Sequence, residues 1–272
     1  MRDLAFSFDC AGDCLVGVAS VPEAPTPRGV VIVVGGPQYR AGSHRQFTLL
    51  ARALAEQGIA ALRFDVRGMG DSEGSARPFE DIGADLDAAI TAFMLQVPAL
   101  REVVLWGLCD GASAAALYAH GDARVTGLAL LNPWVRTEAG AATATIKHYY
   151  RARLFEKAFW QKLANGKFDA VASLRSAFGL AKTAVTAATA ALPDQVLHGL
   201  TGFKGKLLVM LSGADLTAQE FSDASGATEP WRKLMGHTRV TRHTLAGADH
   251  TCSRRDWQDQ MAAWTADWLR AW

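Results

Sequence analysis

The stretch that decides the fold reads Val103-Val104-Leu105-Trp106-Gly107-Leu108-Cys109-Asp110-Gly111-Ala112-Ser113-Ala114-Ala115. An apolar strand leads into a Gly-x-Cys-x-Gly turn and then into a helix of small residues, an arrangement that lifts a nucleophile onto the rim of a sheet. Glycines flank the cysteine because a side chain two positions away would collide with the neighbouring strand or helix. Cys109 would lie at the first turn of the helix, where free amide hydrogens favour a thiolate. The pattern predicts a reactive cysteine, and a buried, inert cysteine is the alternative.

Length and composition bound the architecture and the partners. A chain of 272 residues, 50% of them hydrophobic, is long enough for one large α/β core with an insertion. The 28 Lys and Arg residues against 27 Asp and Glu residues leave no basic field, so nucleic acid is not an expected partner. Asp3 stands where a signal peptide would be apolar, and no later apolar run approaches the roughly 18 residues of a membrane span. We therefore expect a cytoplasmic protein without a membrane span.

The cysteine pattern argues against a metal site. The four cysteines are Cys10, Cys14, Cys109 and Cys252. Their spacing fits no metal site, and neither a metal nor another cofactor is expected. Cys10 and Cys14 could face each other across a hairpin, but a cytosolic chain would keep them reduced. We interpret all except Cys109 as structural.

Strands and helices alternate along most of the chain. The predicted strands are 4–9, 15–21, 30–34, 60–64, 102–107, 125–131, 206–211 and 239–245, and the first two form an antiparallel pair. Helices are predicted from Ser43 to Gly58, over 79–95, over 111–120, in the polar stretch before the last strand, and over 256–272. Such repeated strand–helix units joined by short turns predict a mostly parallel sheet covered on both faces. In the last helix, helical spacing predicts packing roles for Trp257, Met261, Trp264 and Trp268.

The alternation breaks between Val135 and about Thr201. This segment has helix-forming sequence without a clear buried strand. We interpret residues 135–201 as a helical cap inserted above the sheet, between the two parts of the core at 1–134 and 202–272. A low-complexity connection is the alternative, since the Ala/Thr-rich tract at 181–192 does not exclude it.

Four separate segments place functional groups just beyond strand ends, at Gly36, Cys109, Asp215 and His250. The carboxyl ends of parallel strands meet at one edge of an open sheet, so these residues are expected to converge. The chain order nucleophile, acid, histidine matches that of the α/β-hydrolases. His250, oriented by Asp215, would deprotonate the Cys109 thiol.

Three of these segments, Gly-Leu-Cys-Asp-Gly, Ser-Gly-Ala-Asp and Gly-Ala-Asp-His, resemble the α/β-hydrolase superfamily over nearly the whole chain. Further segments are similar to the first of two hydrolase types associated with the exosortase A system, namely Val34–Arg40, Gly42–Phe47, Phe64–Asp65 with Arg67–Gly74, and Leu131–Arg136 with Lys147–Tyr150. That resemblance implies a hydrolase that works beside exopolysaccharide biosynthesis and exosortase genes in Gram-negative bacteria. It indicates a genomic context and does not identify the substrate. Dienelactone hydrolases share the cysteine elbow and are the nearest chemical analogue.

The chain departs from the superfamily in the loop after the third core strand. Many members have a histidine before the glycine that ends this strand, where this chain reads Val34-Gly35-Gly36. An oxyanion hole still needs two backbone amides, which we assign to Asp110 and Gly36. Pro37 has no amide hydrogen. With the loop shifted by two positions, the amide of Gln38 is the substitute.

The predicted activity is hydrolysis of an ester or thioester of a small-molecule acyl substrate through an acyl-enzyme on Cys109. An acyltransferase that uses the same acyl-enzyme and a non-catalytic binding protein with this fold are the alternatives. Gln38 and the cap residues Lys147, His148 and Arg151 are candidate substrate-binding residues, the cations for an anionic part of the substrate. A solvated helix face is the alternative for the cations. The sequence does not determine the oligomeric state, and a homodimer is one alternative.

Overall fold

The computed structural model describes residues 1–36, 38–135 and 191–272. The strands are β1 (Arg2–Cys10), β2 (Asp13–Val21), β3 (Arg28–Val33), β4 (Ala61–Phe64), β5 (Glu102–Leu108), β6 (Val125–Leu131), β7 (Lys206–Ser212) and β8 (Val240–Leu245). The α-helices in these ranges are α1 (Gln46–Glu56), α2 (Gly83–Gln96), α3 (Asp110–Tyr118), α4 (Leu192–Gly202), α5 (Leu216–Ala227), α6 (Glu229–Met235) and α7 (Arg255–Arg270). Short 3₁₀ turns lie at Ser43–Arg45, Phe79–Asp81 and Ala119–Gly121.

The strands form one eight-stranded sheet in the order β1-β2-β4-β3-β5-β6-β7-β8. β1 and β2 form the predicted antiparallel hairpin, and β2 is antiparallel to β4. Every other neighbouring pair is parallel. Strands β3 to β7 are buried over almost their whole length, as expected of parallel strands covered on both faces. The predicted α/β-hydrolase sheet is confirmed, and β5, which leads into the elbow, lies near its middle.

Two hydrophobic layers cover the sheet. Helices α2 to α6 pack on one face, where Leu86, Leu200 and Phe221 are among the buried residues. Helices α1 and α7 pack on the other face around Trp106, whose ring meets that of Phe47 edge to face at 6.0 Å. The predicted packing role of the last helix is confirmed. The four side chains for which packing was predicted belong to this second layer or pack against it: Trp257, Met261, Trp264 and Trp268.

Three helix boundaries differ from those predicted. The helix expected from Ser43 starts as a 3₁₀ turn, and α1 begins at Gln46, because His44 and Arg45 both have positive φ angles outside the α-helical region. The helix expected from Phe79 also starts as a 3₁₀ turn and becomes α-helical at Gly83. The last helix ends at Arg270, two residues before the predicted end.

The hypothesis that Cys10 and Cys14 face each other is wrong. The hairpin register pairs Cys10 with Asp13 and Cys14 with Asp9, because the turn between the strands contains only residues 11 and 12. Cys10 is buried whereas Cys14 is exposed, and all four cysteines are free.

Most of the predicted cap, residues 136–190, lies outside the described residues. Its last part forms α4, which has a proline in its first turn. Val196 and Leu200 of this helix are buried in the same layer as α3. Gly199 lets the two helices approach closely, since a Cβ there would lie 2.3 Å from the carbonyl oxygen of Ala116. The 192–202 segment therefore packs on the flank of the sheet, and the cap itself stays a prediction.

Candidate active site

The turn between β5 and α3 has the geometry expected of a nucleophile elbow. Cys109 adopts φ 57° and ψ −123°, a conformation that is strained for any residue other than glycine. A Cβ on Gly107 would lie 2.5 Å from the amide nitrogen of Ala112, and one on Gly111 would lie 2.5 Å from the carbonyl oxygen of Val33. The prediction that both flanking positions exclude a side chain is therefore confirmed. The turn leaves the Cys109 side chain half-buried.

Asp215 and His250 come together beside this turn. Asp215 is the N-cap residue of α5, and its carboxylate accepts hydrogen bonds from the amides of Thr217 (3.3 Å) and Ala218 (3.1 Å). His250 Nδ1 lies 3.0 Å from the same carboxylate and donates to it, because an ionised carboxylate is an acceptor only. The Cys109 side chain lies close enough to His250 to raise the pKa of the imidazole. The structure thus joins Asp215 to His250 by a hydrogen bond and places the pair beside the elbow that carries Cys109.

These contacts set the charge of the histidine. The pKa of His250 is raised to about 10, chiefly by the hydrogen bond to Asp215; the Cys109 side chain acts in the same direction, and burial opposes both. An imidazole with that pKa is protonated at neutral pH. A protonated histidine beside the nucleophile holds a proton ready for a leaving group.

Asp249 is the acidic residue directly before His250 in the chain. Its carboxylate accepts hydrogen bonds from the amide of Ser253 at 3.0 Å and from the Ser253 hydroxyl. It therefore closes the turn after the histidine, whereas Asp215 contacts the imidazole ring.

Asn132, whose role the sequence pattern did not reveal, joins three chain segments at this edge of the sheet. Asn132 is fully buried with φ 47°. Its Nδ2 donates to Ser212 Oγ (3.0 Å) and to the carbonyl oxygen of His250 (3.1 Å), and its Oδ1 accepts from the amide of Ser212 (2.8 Å). These bonds fix the His250 loop to the ends of β6 and β7. The available signal was an asparagine directly after a buried strand, since asparagine tolerates positive φ better than most residues.

Gly36 N, one of the two amides assigned to the oxyanion hole, is bonded within the protein. It donates to Asp110 Oδ2 at 2.7 Å, and Gly111 N donates to Asp110 Oδ1 at 3.0 Å. Gln38 N, the alternative donor, is bonded to the carbonyl oxygen of Gly36 at 2.8 Å. The oxyanion hole therefore stays a prediction, and it requires Gly36 N to change its partner.

Two further features of this loop bear on the site. The amide of Arg40 donates to Asp65 at 2.6 Å, and its guanidinium pairs with Asp65 and with Asp71, which anchors the loop to the turn after β4. Gln38 is half-buried, and its Oε1 is buried without a hydrogen-bond partner among the residues described. A buried acceptor of this kind is consistent with the substrate-binding role predicted for Gln38.

The remaining predicted site residues, Lys147, His148 and Arg151, lie outside the described residues. Within the described ranges, no group of three or more His, Cys, Asp or Glu residues could hold a metal ion. In the same ranges, none of the helices has both the length and the apolar character needed to cross a membrane.

Solved structures with similar folds cover almost the whole chain. The Pyrococcus furiosus esterase Pf2001 is 15% identical with a TM-score of 0.67, covering 100% of this chain and 93% of its own. Est1E from Butyrivibrio proteoclasticus, solved with ferulic acid, is 17% identical with a TM-score of 0.64 and 98% coverage of both chains. XC6422 from Xanthomonas campestris, described as an α/β serine hydrolase without a lid, is 18% identical with a TM-score of 0.61, covering 98% of this chain and 95% of its own.

No curated protein matches the chain in sequence. A family model does: Hydrolase_4, described as "Serine aminopeptidase, S33", matches residues 25–200. This match spans more than half of the chain and includes the loop after β3 and the whole elbow. The protein is thus a hydrolase of the α/β-hydrolase fold and belongs to the Hydrolase_4 family.

Proposed function

We propose that this protein hydrolyses esters or thioesters of a small-molecule acyl group, with Cys109 as nucleophile, His250 as acid and base, and Asp215 as the residue that orients the histidine. The observation that carries the proposal is the hydrogen bond of 3.0 Å between His250 and Asp215 beside a strained elbow, whose Cys109 side chain is close enough to His250 to raise the pKa of the imidazole. The family description names a serine, whereas this chain has a cysteine at the centre of its elbow. The thiol would take the role of the hydroxyl.

The acylation step follows from the charges at the site. The Cys109 thiolate attacks the carbonyl carbon, a carbon–sulfur bond forms, and negative charge develops on the carbonyl oxygen. His250 then gives its proton to the leaving alcohol or thiol as the bond to the acyl carbon breaks. Asp215 keeps Nε2 of the ring directed at the reacting atoms, because Nδ1 is held at its carboxylate.

Deacylation reverses the role of the histidine. Neutral His250 takes a proton from a water molecule as the water oxygen attacks the thioester carbon. The carbon–sulfur bond breaks, the carboxylic acid leaves, and the Cys109 thiolate is paired with protonated His250 again. Amides of Asp110 and Gly36 would stabilise the oxyanion in both steps.

This chemistry favours some substrates over others. A thiolate leaves a tetrahedral adduct more readily than an unprotonated amine, so esters and thioesters are better substrates than amides. The cap residues Lys147 and Arg151 would add recognition of an anionic group. Replacing both with glutamine should raise the KM for acetyl-coenzyme A and spare neutral p-nitrophenyl acetate. Equal effects on both substrates, or none, would assign these cations to a solvated face.

The cellular role is proposed from resemblance. The similarity to exosortase-associated hydrolases supports work on an acyl group in exopolysaccharide metabolism in the cytoplasm. Acyl transfer to a sugar hydroxyl or a thiol uses the same acyl-enzyme, and adding candidate acceptors during product analysis separates transfer from hydrolysis.

A binding protein that has kept the fold without the chemistry is a second candidate. One observation favours it, because the Gly36 amide is bonded to Asp110 at 2.7 Å and does not face a vacant oxyanion site. Such a protein would lack a reactive thiol. Iodoacetamide would then label Cys109 no faster than the exposed Cys14.

The proposed function is tested by hydrolysis of p-nitrophenyl acetate. Cys109→Ala should abolish turnover and leave stability nearly unchanged, and Cys109→Ser should be a poor enzyme because a hydroxyl is not readily ionised at this site. Cys14→Ala is the matched control, since it removes an exposed thiol in β2 and should behave as wild type. Unimpaired hydrolysis by Cys109→Ala would refute the assignment of the nucleophile.

A further inference from the structure

The residue after the nucleophile carries a carboxylate that lies in the proposed oxyanion site. Asp110 Oδ2 accepts from Gly36 N at 2.7 Å, and Oδ1 accepts from Gly111 N at 3.0 Å. The loop is shaped around this side chain, because a Cβ on Gly35 would lie 1.9 Å from Oδ1. The carboxylate thus bridges the loop after β3 and the start of α3, directly beside Cys109.

This bridge competes with the chemistry proposed for the site. An amide N–H donates one strong hydrogen bond, so Gly36 N cannot serve Asp110 and an oxyanion together. The bond to an ionised carboxylate is stronger than one to a neutral acceptor. A carboxylate within the site also repels the negative charge that develops on the carbonyl oxygen. Burial raises the pKa of Asp110, while the amide hydrogen bonds and the charge of His250 oppose that rise.

Building on the proposed function, we propose that Asp110 is a positioning residue that acts through Gly36: its carboxylate holds the oxyanion donor in the resting site and has to release it before acyl transfer. Asp110 would thereby limit how strongly the site stabilises an oxyanion. It would not limit the reactivity of the thiol itself. A substrate that draws the carboxylate away from Gly36 would be favoured over one that leaves it in place.

Two reagents separate oxyanion stabilisation from thiol reactivity. Acetaldehyde adds to a thiolate to give a hemithioacetal, in which a carbon–sulfur bond forms and the carbonyl oxygen becomes an oxyanion that takes up a proton. Iodoacetamide is attacked at its CH₂ carbon and loses iodide, so no oxyanion forms. The first reaction reports on Gly36 N–H, and the second reports on the Cys109 thiolate.

The experiment measures protection of Cys109 from iodoacetamide by acetaldehyde in wild type, Asp110→Ala and Asp110→Asn. Asp110→Ala frees Gly36 N and should tighten acetaldehyde binding about tenfold, as expected for a hydrogen bond to a charged group. It should raise kcat for p-nitrophenyl acetate to a similar degree with little change in KM. Asp110→Asn keeps an acceptor oxygen without the charge and should give a smaller gain. Rates of iodoacetamide alkylation without aldehyde should change little.

Glu56→Ala is the matched control, because it removes an exposed carboxylate from the end of α1, which leads to the start of β4 at the edge of the sheet opposite the elbow. This variant should bind acetaldehyde and react with iodoacetamide as wild type does. Weaker or unchanged acetaldehyde binding in Asp110→Ala would overturn the proposal. The carboxylate would then only join the loop after β3 to the start of α3. If Asp110→Ala does not fold, the same outcome in Asp110→Asn overturns it. Turnover by Cys109→Ala would refute the proposed function, whatever Asp110 does.

Discussion

Gly111→Ala is the substitution that tests the packing of the elbow most sharply. The new Cβ would lie 2.5 Å from the carbonyl oxygen of Val33 and 3.1 Å from the amide nitrogen of Gly35. Ordinary contact begins at 3.4 Å, so the start of α3 and the end of β3 have to separate by about 0.9 Å, and overpacking of this kind costs about 1–3 kcal/mol. Both neighbours are backbone atoms and have no side-chain rotation with which to yield.

The displacement moves the reacting atoms as well. Cys109 lies two residues before Gly111 and moves with the start of α3, whereas His250 is held by Asn132 and Asp215 after β6 and β7. A misplacement of about 1 Å between them costs on the order of 100-fold in rate. We therefore expect kcat/KM for p-nitrophenyl acetate to fall about 100-fold, with a lower midpoint of thermal unfolding. The measurements are initial rates and a melting curve on the same preparation.

Gly226→Ala is the matched control for Gly111→Ala. Gly226 lies near the end of α5, its φ is not positive, and a Cβ there meets no atom within 4 Å among the residues described. Alanine should leave activity unchanged and stabilise the protein slightly, by about 0.5 kcal/mol, because glycine is the poorer helix former. Wild-type rates and stability in Gly111→Ala would refute the argument that the elbow requires glycine at this position.

Three further predictions concern the charged groups. Asp215→Asn should slow acylation by up to about 10⁴-fold, and by less than that if the thiol needs less help from its base than an alcohol does; Asp249→Asn should remain within severalfold of wild type, and the reverse order would reassign the acid. Because the pKa of His250 is raised from 6.5 to about 10, its protonation stabilises the folded state fully below pH 6.5, and this contribution is lost as the pH rises through 10. Urea unfolding at several pH values should therefore show that wild type exceeds His250→Ala in free energy of unfolding by an amount that shrinks between pH 6.5 and 10. A difference in free energy that stays constant over this range would contradict the assigned pKa. Arg67 and Asp85 form a buried ion pair at 2.8 Å, with side-chain exposures of 6% and 0%. Asp85→Ala leaves the Arg67 charge without its partner and should lower the free energy of unfolding by about 3–5 kcal/mol in urea titrations. A loss below about 1 kcal/mol would show that the Arg67 charge is compensated without Asp85.

Much of the fold could be predicted because strand burial and turn chemistry are local signals. The apolar run of β5 and the small residues of α3 identify a strand and a helix without knowledge of their neighbours. A turn around Ala11-Gly12-Asp13 was predictable, but the register of the hairpin was not, since a shift of one residue decides whether Cys10 faces Cys14. The α1 start was misplaced because the positive φ angles of His44 and Arg45 depend on packing of the loop and not on residue type.

Some residues of the candidate site could likewise be predicted from the sequence, and others could not. Cys109, Asp215 and His250 were predictable from their positions after strands, because parallel topology brings such positions together. The role of Asn132 was not predictable, since its three hydrogen bonds join segments 80 and 118 residues apart in the chain. The contact between Asp110 and Gly36 N was also hidden, because it depends on the rotamer of one side chain across a loop–helix boundary.

The central claim is that an acyl group is carried on the sulfur of Cys109. Wild type is mixed with p-nitrophenyl acetate, quenched in acid during turnover and digested, and the peptides are analysed by mass spectrometry. We expect one acetyl group on the Cys109 peptide, removable by neutral hydroxylamine as expected for a thioester and absent from Cys109→Ala. An acetyl group on another residue that turns over at the rate of hydrolysis, or steady turnover by Cys109→Ala, would contradict it.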